Sequence, residues 1–426
     1  MSHSTGTVAA QDRMAATKLR GAWFLLTAVM LLWSGVASAN ERLVPSQVPV
    51  PAVYFGMHFH RTGESTEVPK HGIGAWRLWD ARVAWRYLDP KNLGPNYAAL
   101  DKVVSLARIR HIELLYTFGA TPQWASARPD EKGPYGPGSA AEPRTMDIWL
   151  DFVRRTGRRY KGQIPYYETW NEPNAGFFTG DLSKLVDMTC SAARVLREED
   201  PAIKIVTPSG VSAHPDWLDK FLSAGGERCV DVISWHFYTP HGAPETMLSQ
   251  VRAVQDIMRK HGLAERPLWN TEAGWRLDVG PSKAKAIDPS WPKLDGAHSA
   301  AYVARALLVG WAAGIQRYYY YSWDHDDMGF LRVDGRPTAS ADAFLAMRRW
   351  MEGSVVKRCE SVGDVWTCDL EQGGLPALIA WREAGLSEDW TPPAGYSATE
   401  SLAGERAALA PGASIALGIQ PMLLTP

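Results

Sequence analysis

Short runs of β-branched, aromatic and aliphatic residues recur along the chain, and most are followed by a segment whose apolar positions fall at helical spacing. The β-rich runs are VYFGMHFH from Val53, AWRLWD from Ala75, IELLYTFG from Ile112, YYETWNEP from Tyr166, IKIVTPSG from Ile203, DVISWHFY from Asp231, PLWNTEAGW from Pro267 and RYYYYSWD from Arg317. Helical spacing is clearest in Tyr97 to Arg110, Met146 to Tyr160, Leu182 to Glu199 and Ala297 to Gly314. Eight strand-then-helix units between Val53 and Asp324 predict an α/β fold, a (β/α)8 TIM barrel. An open doubly wound sheet would carry a glycine-rich phosphate turn early on, and none is present.

After Arg349 the pattern changes to short strands and turns, among them LPALIAWRE from Leu375. This tail is too short for another barrel unit and predicts a small C-terminal antiparallel β domain that braces the barrel. The division expected is 1–39 as a signal peptide, 40–349 as the barrel and 350–426 as the β domain. Two connections, Ala120 to Arg144 and Arg276 to Gly296, are long and rich in Pro and Gly. Both follow strands, so in a barrel both sit on the C-terminal face and wall a cleft. Trp124 and Trp291 within them favour packing over disorder.

The first 39 residues read as an export signal: Lys18 and Arg20, an apolar stretch from Ala22 to Trp33, then Ala37-Ser38-Ala39. Met14 is an alternative start. Cleavage after Ala39 would deliver a periplasmic or secreted protein, whereas an uncleaved segment would tether it to the inner membrane. The rest of the chain contains no stretch apolar enough to span a bilayer.

Composition narrows the partners. With 45 Lys+Arg against 46 Asp+Glu over 426 residues, there is no electrostatic reason to expect nucleic acid or a membrane surface. A neutral polysaccharide or oligosaccharide fits better, and the 19 Trp offer flat faces for sugars as well as bulk for the core. Four cysteines in an exported chain are open to oxidation. Counting outward from a two-residue turn at Gly363-Asp364 sets Cys359 opposite Cys368, in the close pairing that suits a disulfide. Cys190 and Cys229 are candidates for a second bridge, without a comparable argument.

The chemistry lies in Glu172 and Glu272, each near the end of a strand-like run. The fourth and seventh strands of a barrel face each other, so these carboxylates meet over one bond. Two opposed carboxyls are the equipment for cutting a glycosidic bond: a separation of about 5 Å means retention through a covalent intermediate, a wider one means inversion. For that work one carboxyl must hold a proton near neutrality while the other stays ionised. Arg77 is the candidate cation beside Glu272. Tyr238 is placed to donate to the same group, and His236 shares its face by strand alternation. His58 and His60 alternate on the first strand as pocket-lining groups, and Asp80, Asp324 and His325 are orienting residues at strand ends.

The Trp170-Asn171-Glu172-Pro173 run together with Glu272 resembles the clan A glycoside hydrolases. Within that clan the region from Val53 to Asp324 is similar to family 39, especially its PslG-type periplasmic exopolysaccharide glycosidases. The resemblance implies that Glu172 is the general acid/base, Glu272 the nucleophile and Asn171 a binder of the sugar 2-hydroxyl. It also implies that Arg77 is the clan's strand-two arginine and Trp323 a platform beneath the sugar. The expectation taken forward is a retaining, endo-acting glycosidase of a bacterial exopolysaccharide, with no metal and no cofactor. Three alternatives stand beside it: an exo-acting β-xylosidase, a non-catalytic polysaccharide-binding barrel, and a metal-dependent hydrolase built on His58, His60, His236 and Asp324.

Overall fold

Each of the eight β-rich runs contains a strand: Phe55–Met57, Ala75–Leu78, Glu113–Thr117, Tyr166–Glu168, Lys204–Val206, Ile233–His236, Leu268–Ala273 and Ile315–Tyr320. The computed structural model describes residues 40–61, 67–69, 72–281 and 287–426. The expected signal segment and its cleavage point lie outside these residues.

The strands form one curled, parallel sheet in which the first strand lies between the second and the eighth. The fifth run is split, Gly210–Val211 adding a ninth strand next to the sixth, so both ends of the sheet belong to the same run. Isolated bridges Val206↔Val232 and Asn171↔Ser209 tie that run to its neighbours on either side. Helices cover one face, and the strands are short and apolar because they are buried on both faces. Leu100, Val103, Val104 and Ala107 of the helix Ala98–Arg110 pack with Leu114 and Tyr116 of the third strand. Ala75, Leu115, Val206, Val232, Trp269 and Tyr319 form a separate plug within the curl, as strand alternation requires.

The four helices read from periodicity are Ala98–Arg110, Met146–Arg159, Leu182–Glu199 and Gly296–Ala312. Asp216–Ser223, Met247–Lys260 and Ala339–Met351 complete the alternation. Among the described residues no helix is long and apolar enough to cross a membrane.

Beyond the last helix, a seven-stranded antiparallel sheet contains Val355–Val362, Val365–Gln372 and Leu375–Arg382. Cys359 and Cys368 are cross-strand partners and disulfide-bonded, their Cα atoms 4.0 Å apart. Cys190 and Cys229 form a second disulfide. Arg42–Leu43, near the start of the described residues, pairs with Glu360 and Cys359 and so forms an edge of the second sheet. The two sheets share a buried junction. Arg305 of the helix Gly296–Ala312 donates to Glu245 at 2.7 Å, and Trp381 of the second sheet donates to the same carboxylate at 2.8 Å.

Candidate active site

The fourth strand ends at Glu168, so Glu172 stands on the loop beyond it and not on the strand itself. Its backbone is left-handed, at φ 39° and ψ 54°, and Pro173 opens the following turn. The Glu172 amide donates to the Ser209 carbonyl at 2.8 Å, which pins the loop to the fifth run. Glu272 lies within its strand, Leu268–Ala273. Just beyond it Gly274 passes close to the eighth strand's end; a Cβ there would lie 2.4 Å from the Tyr321 carbonyl oxygen.

These elements bring Glu172, His236 and Glu272 together, with one carboxylate oxygen or imidazole nitrogen from each lying within 4.8 Å of the others. His236 Nδ1 is 2.8 Å from Glu172 Oε1. Arg77, fully buried, donates from Nη1 to Glu272 at 2.9 Å, from Nη2 to Asn171 Oδ1 at 2.7 Å and from Nε to Glu168 at 2.7 Å. Tyr238 donates its hydroxyl to the other oxygen of Glu272 at 2.8 Å. Glu168 also accepts from Thr117 at 2.6 Å and from Ser209.

Burial dominates the electrostatics. It pushes Glu172 up to about 7, against the pull of Arg77 and with the repulsion of Asp80 and Glu168. Burial likewise pushes Glu272 up to about 7, with His236 and Arg77 pulling down and Glu172 repelling. Two carboxyls this close titrate as a pair and share one proton near neutrality. Hydrogen bonding decides where it resides: Glu272 receives an N–H and an O–H, which stabilise its anion, so the proton belongs on Glu172. Burial also lowers His236 to about 4, leaving its ring neutral.

The remaining expected residues divide. His58 Nε2 meets the Thr271 carbonyl at 2.9 Å, and its ring lies 5.2 Å from Tyr321. The ring of His60 is 4.9 Å from Tyr321 and 5.5 Å from His325. Trp323 does not join them: it is buried against Phe59 and Phe330, with centroids 6.0 and 6.1 Å away. The strand stops at Tyr320, so alternation no longer governs where Trp323 points. Tyr321 stands in the cleft instead. Of the two loop tryptophans, Trp291 packs 5.3 Å from Tyr238, whereas Trp124 turns to Trp85 and donates to the Asp89 carbonyl.

A cleft of about 470 Å³ is lined by His60, Asp80, Tyr135, Phe177, Tyr321 and His325, with Arg61, Arg82 and Pro134. Asp80 accepts the hydroxyls of Tyr135, at 2.5 Å, and Tyr321, at 2.9 Å. Sequence reasoning missed Glu168, Tyr135 and Tyr321. Glu168 is two residues from Tyr166 on the same strand face, so parity alone aims it into the curl; no comparable signal marks Tyr135, carried in by a long loop.

The alternative metal set is not assembled. His58 is engaged by the Thr271 carbonyl, and Asp324 accepts from the amides of His60 and Arg61 at 2.8 and 2.9 Å. The groups that do converge, Glu172, His236 and Glu272, already have Arg77 on Glu272.

This curled α/β sheet with an appended antiparallel sheet is a fold found in glycoside hydrolases. A family 39 glycoside hydrolase from Bacteroides cellulosilyticus WH2 superposes with a TM-score of 0.71 at 18% identity, covering 89% of this chain and 81% of that one. A monomeric β-xylosidase from Caulobacter crescentus CB15 gives 0.65 at 15% identity, covering 90% and 98%. A family 30 subfamily 8 xylanase from Clostridium acetobutylicum gives 0.61 at 13%, covering 90% and 97%. No family model matches the chain, and no curated protein matches its sequence.

Proposed function

We propose that this chain is a retaining glycoside hydrolase of the family 39 kind, with its eight strands closed into a (β/α)8 barrel. The observation that carries the reading is the meeting of Glu172 and Glu272, with an oxygen of each within 4.8 Å of the other. That spacing suits attack by one carboxylate and leaves no room for a water between them. Glu272, held ionised by Arg77 and Tyr238, attacks the anomeric carbon while Glu172 protonates the departing glycosidic oxygen. The bond to the leaving sugar breaks as the ester bond to Glu272 forms. Glu172, now a carboxylate, takes a proton from water, which displaces Glu272 and restores the original anomer. Because Arg77 occupies Asn171 Oδ1, the amide nitrogen is left to donate to the sugar 2-hydroxyl.

The substrate we assign is a bacterial exopolysaccharide cut internally, outside the cytosol. The two disulfides are compatible with export, and the PslG-type resemblance of the Asn-Glu-Pro run supports the polymer. An exo-acting β-xylosidase is the second reading, favoured by the likeness to the Caulobacter crescentus enzyme. Incubation with a panel of purified exopolysaccharides, following fragment size and the anomer first released by NMR, tests both. Early oligosaccharides of retained configuration are expected. Monosaccharide alone would overturn internal cutting, and an inverted anomer would overturn the mechanism.

A further inference from the structure

Asp80 lies three residues beyond Arg77 on the second strand's exit, in a left-handed conformation at φ 58°. Its two carboxylate oxygens each accept one phenol, Tyr135 on Oδ1 and Tyr321 on Oδ2. The phenols come from distant parts of the chain, so three separate elements converge on one carboxylate. Such a carboxylate has a fixed plane, and each oxygen keeps an acceptor site beyond the phenol it already holds. Asp80 lines the same cleft as Tyr135, Phe177 and His325, and its charge is felt by both Glu172 and Glu272. A ring bound in this cleft lies alongside Asp80, at the exit of the strand whose Arg77 holds Glu272.

The cleft offers a matching donor. His325 Nδ1 accepts from the amides of Asp327 and Met328 at 3.1 and 3.2 Å, which puts the ring proton on Nε2. Two arginines, Arg61 and Arg82, also line the cleft; Arg61 is held by Asp326 at 2.9 Å and by the Asp324 carbonyl, and Arg82 is likewise engaged, so neither is poised to neutralise an incoming acid. Fixed acceptors on one wall suit hydroxyl donors and repel a carboxylate.

We propose that Asp80 is a specificity residue that takes two adjacent hydroxyls of the bound sugar, so the ring accepted beside the catalytic pair is neutral and carries a free vicinal diol. This rests on the glycosidase reading and narrows its substrate class. It excludes uronic acids at that position, since their carboxylate would face Asp80 at close range.

Binding tests the proposal apart from turnover. Methyl β-D-xylopyranoside, methyl β-D-glucopyranoside and methyl β-D-glucuronide are titrated against the full chain by saturation-transfer NMR, with Asp80→Asn and Asp80→Ala as variants. Asn tolerates the left-handed backbone well, so D80N preserves the fold, which circular dichroism verifies. At least one neutral glycoside is expected to bind wild type roughly tenfold or more tighter than D80N. The glucuronide should be rejected by wild type, with the neutral-to-acidic preference shrinking by roughly tenfold in D80N. A 4-deoxy or 3-deoxy analogue of the bound glycoside should lose affinity for wild type and little for D80N. Equal binding of glucuronide and glucoside by wild type overturns the proposal, as does a D80N variant that binds unchanged or a wild type that binds no neutral glycoside at 20-fold molar excess or above. Binding in the expected pattern by a protein that cleaves no glycan overturns the glycosidase reading and leaves Asp80's role standing.

Discussion

Arg77 holds Glu272 by a 2.9 Å ion pair while a second edge of the same guanidinium holds Glu168 at 2.7 Å. One cation thus pairs with two buried carboxylates. Replacement of Arg77 by Gln is expected to destabilise the protein by about 3–5 kcal/mol, as removal of one member of a buried ion pair does. It should also abolish activity. Urea unfolding followed by tryptophan fluorescence checks the first expectation; a loss below about 1 kcal/mol would show the network to be dispensable.

The two carboxyls should separate by leaving group. Glu272→Gln removes the nucleophile and is expected to abolish hydrolysis of every substrate. Glu172→Gln should slow cleavage of a sugar leaving group by roughly 10²–10⁴-fold, the usual worth of general acid catalysis. For a dinitrophenyl glycoside, whose leaving group needs no proton, the first step should be nearly unimpaired. Burst kinetics on that glycoside distinguish the steps. Equal losses on both substrate types would deny Glu172 its role as acid.

Activity and stability should move in the same direction with pH. The acid must be protonated, so kcat/KM is expected to fall as pH rises through about 7, the value to which burial pushes Glu172. A carboxyl raised from 4.5 to about 7 binds its proton more tightly in the folded state. Its contribution is intact below about pH 4.5 and is lost progressively as pH rises through 7. Glu172→Gln escapes this loss. It should therefore be more stable than wild type at pH 8, by up to roughly 3 kcal/mol, and show a smaller gain at pH 5. Thermal melts at the two pH values decide; a variant less stable at pH 8 would refute the burial argument.

Tyr321 should take the place beside the sugar that the family resemblance implies for Trp323. Trp323→Ala is expected to cost about 3–5 kcal/mol of stability, the range for a large buried aromatic. Tyr321→Phe removes one of the two donors on Asp80 and should raise KM with little change in melting temperature. If Trp323→Phe, which keeps most of the core volume, raised KM and Tyr321→Phe did not, the platform would be Trp323 after all.

Most of the architecture was legible because the parallel strands of the curled sheet are buried on both faces and carry near-continuous apolar runs, such as IELLYTFG and RYYYYSWD, that punctuate helical periodicity. Glu172, Glu272, Arg77 and Tyr238 were legible for a related reason: residues at strand C-termini converge once the strands close ranks. What escaped was set by distance in sequence or by the end of a strand. Tyr135 reaches Asp80 from a loop 55 residues away, and nothing local in the chain records that meeting. Trp323 follows a strand that has already stopped at Tyr320, so its place in the resemblance does not fix where its ring points. The pairing of Arg42–Leu43 with Glu360 and Cys359 joins positions some three hundred residues apart, beyond the reach of any pattern in either segment.

The carboxylate of Glu245 accepts from both Arg305 and Trp381, so peeling the second sheet away would strip a buried ion pair of a hydrogen-bond donor and of its apolar cover. The antiparallel module is accordingly no detachable appendage. Heat should dismantle both layers in one calorimetric endotherm, and a fragment cut after Met351 should lose the curled sheet's fold along with the segment removed.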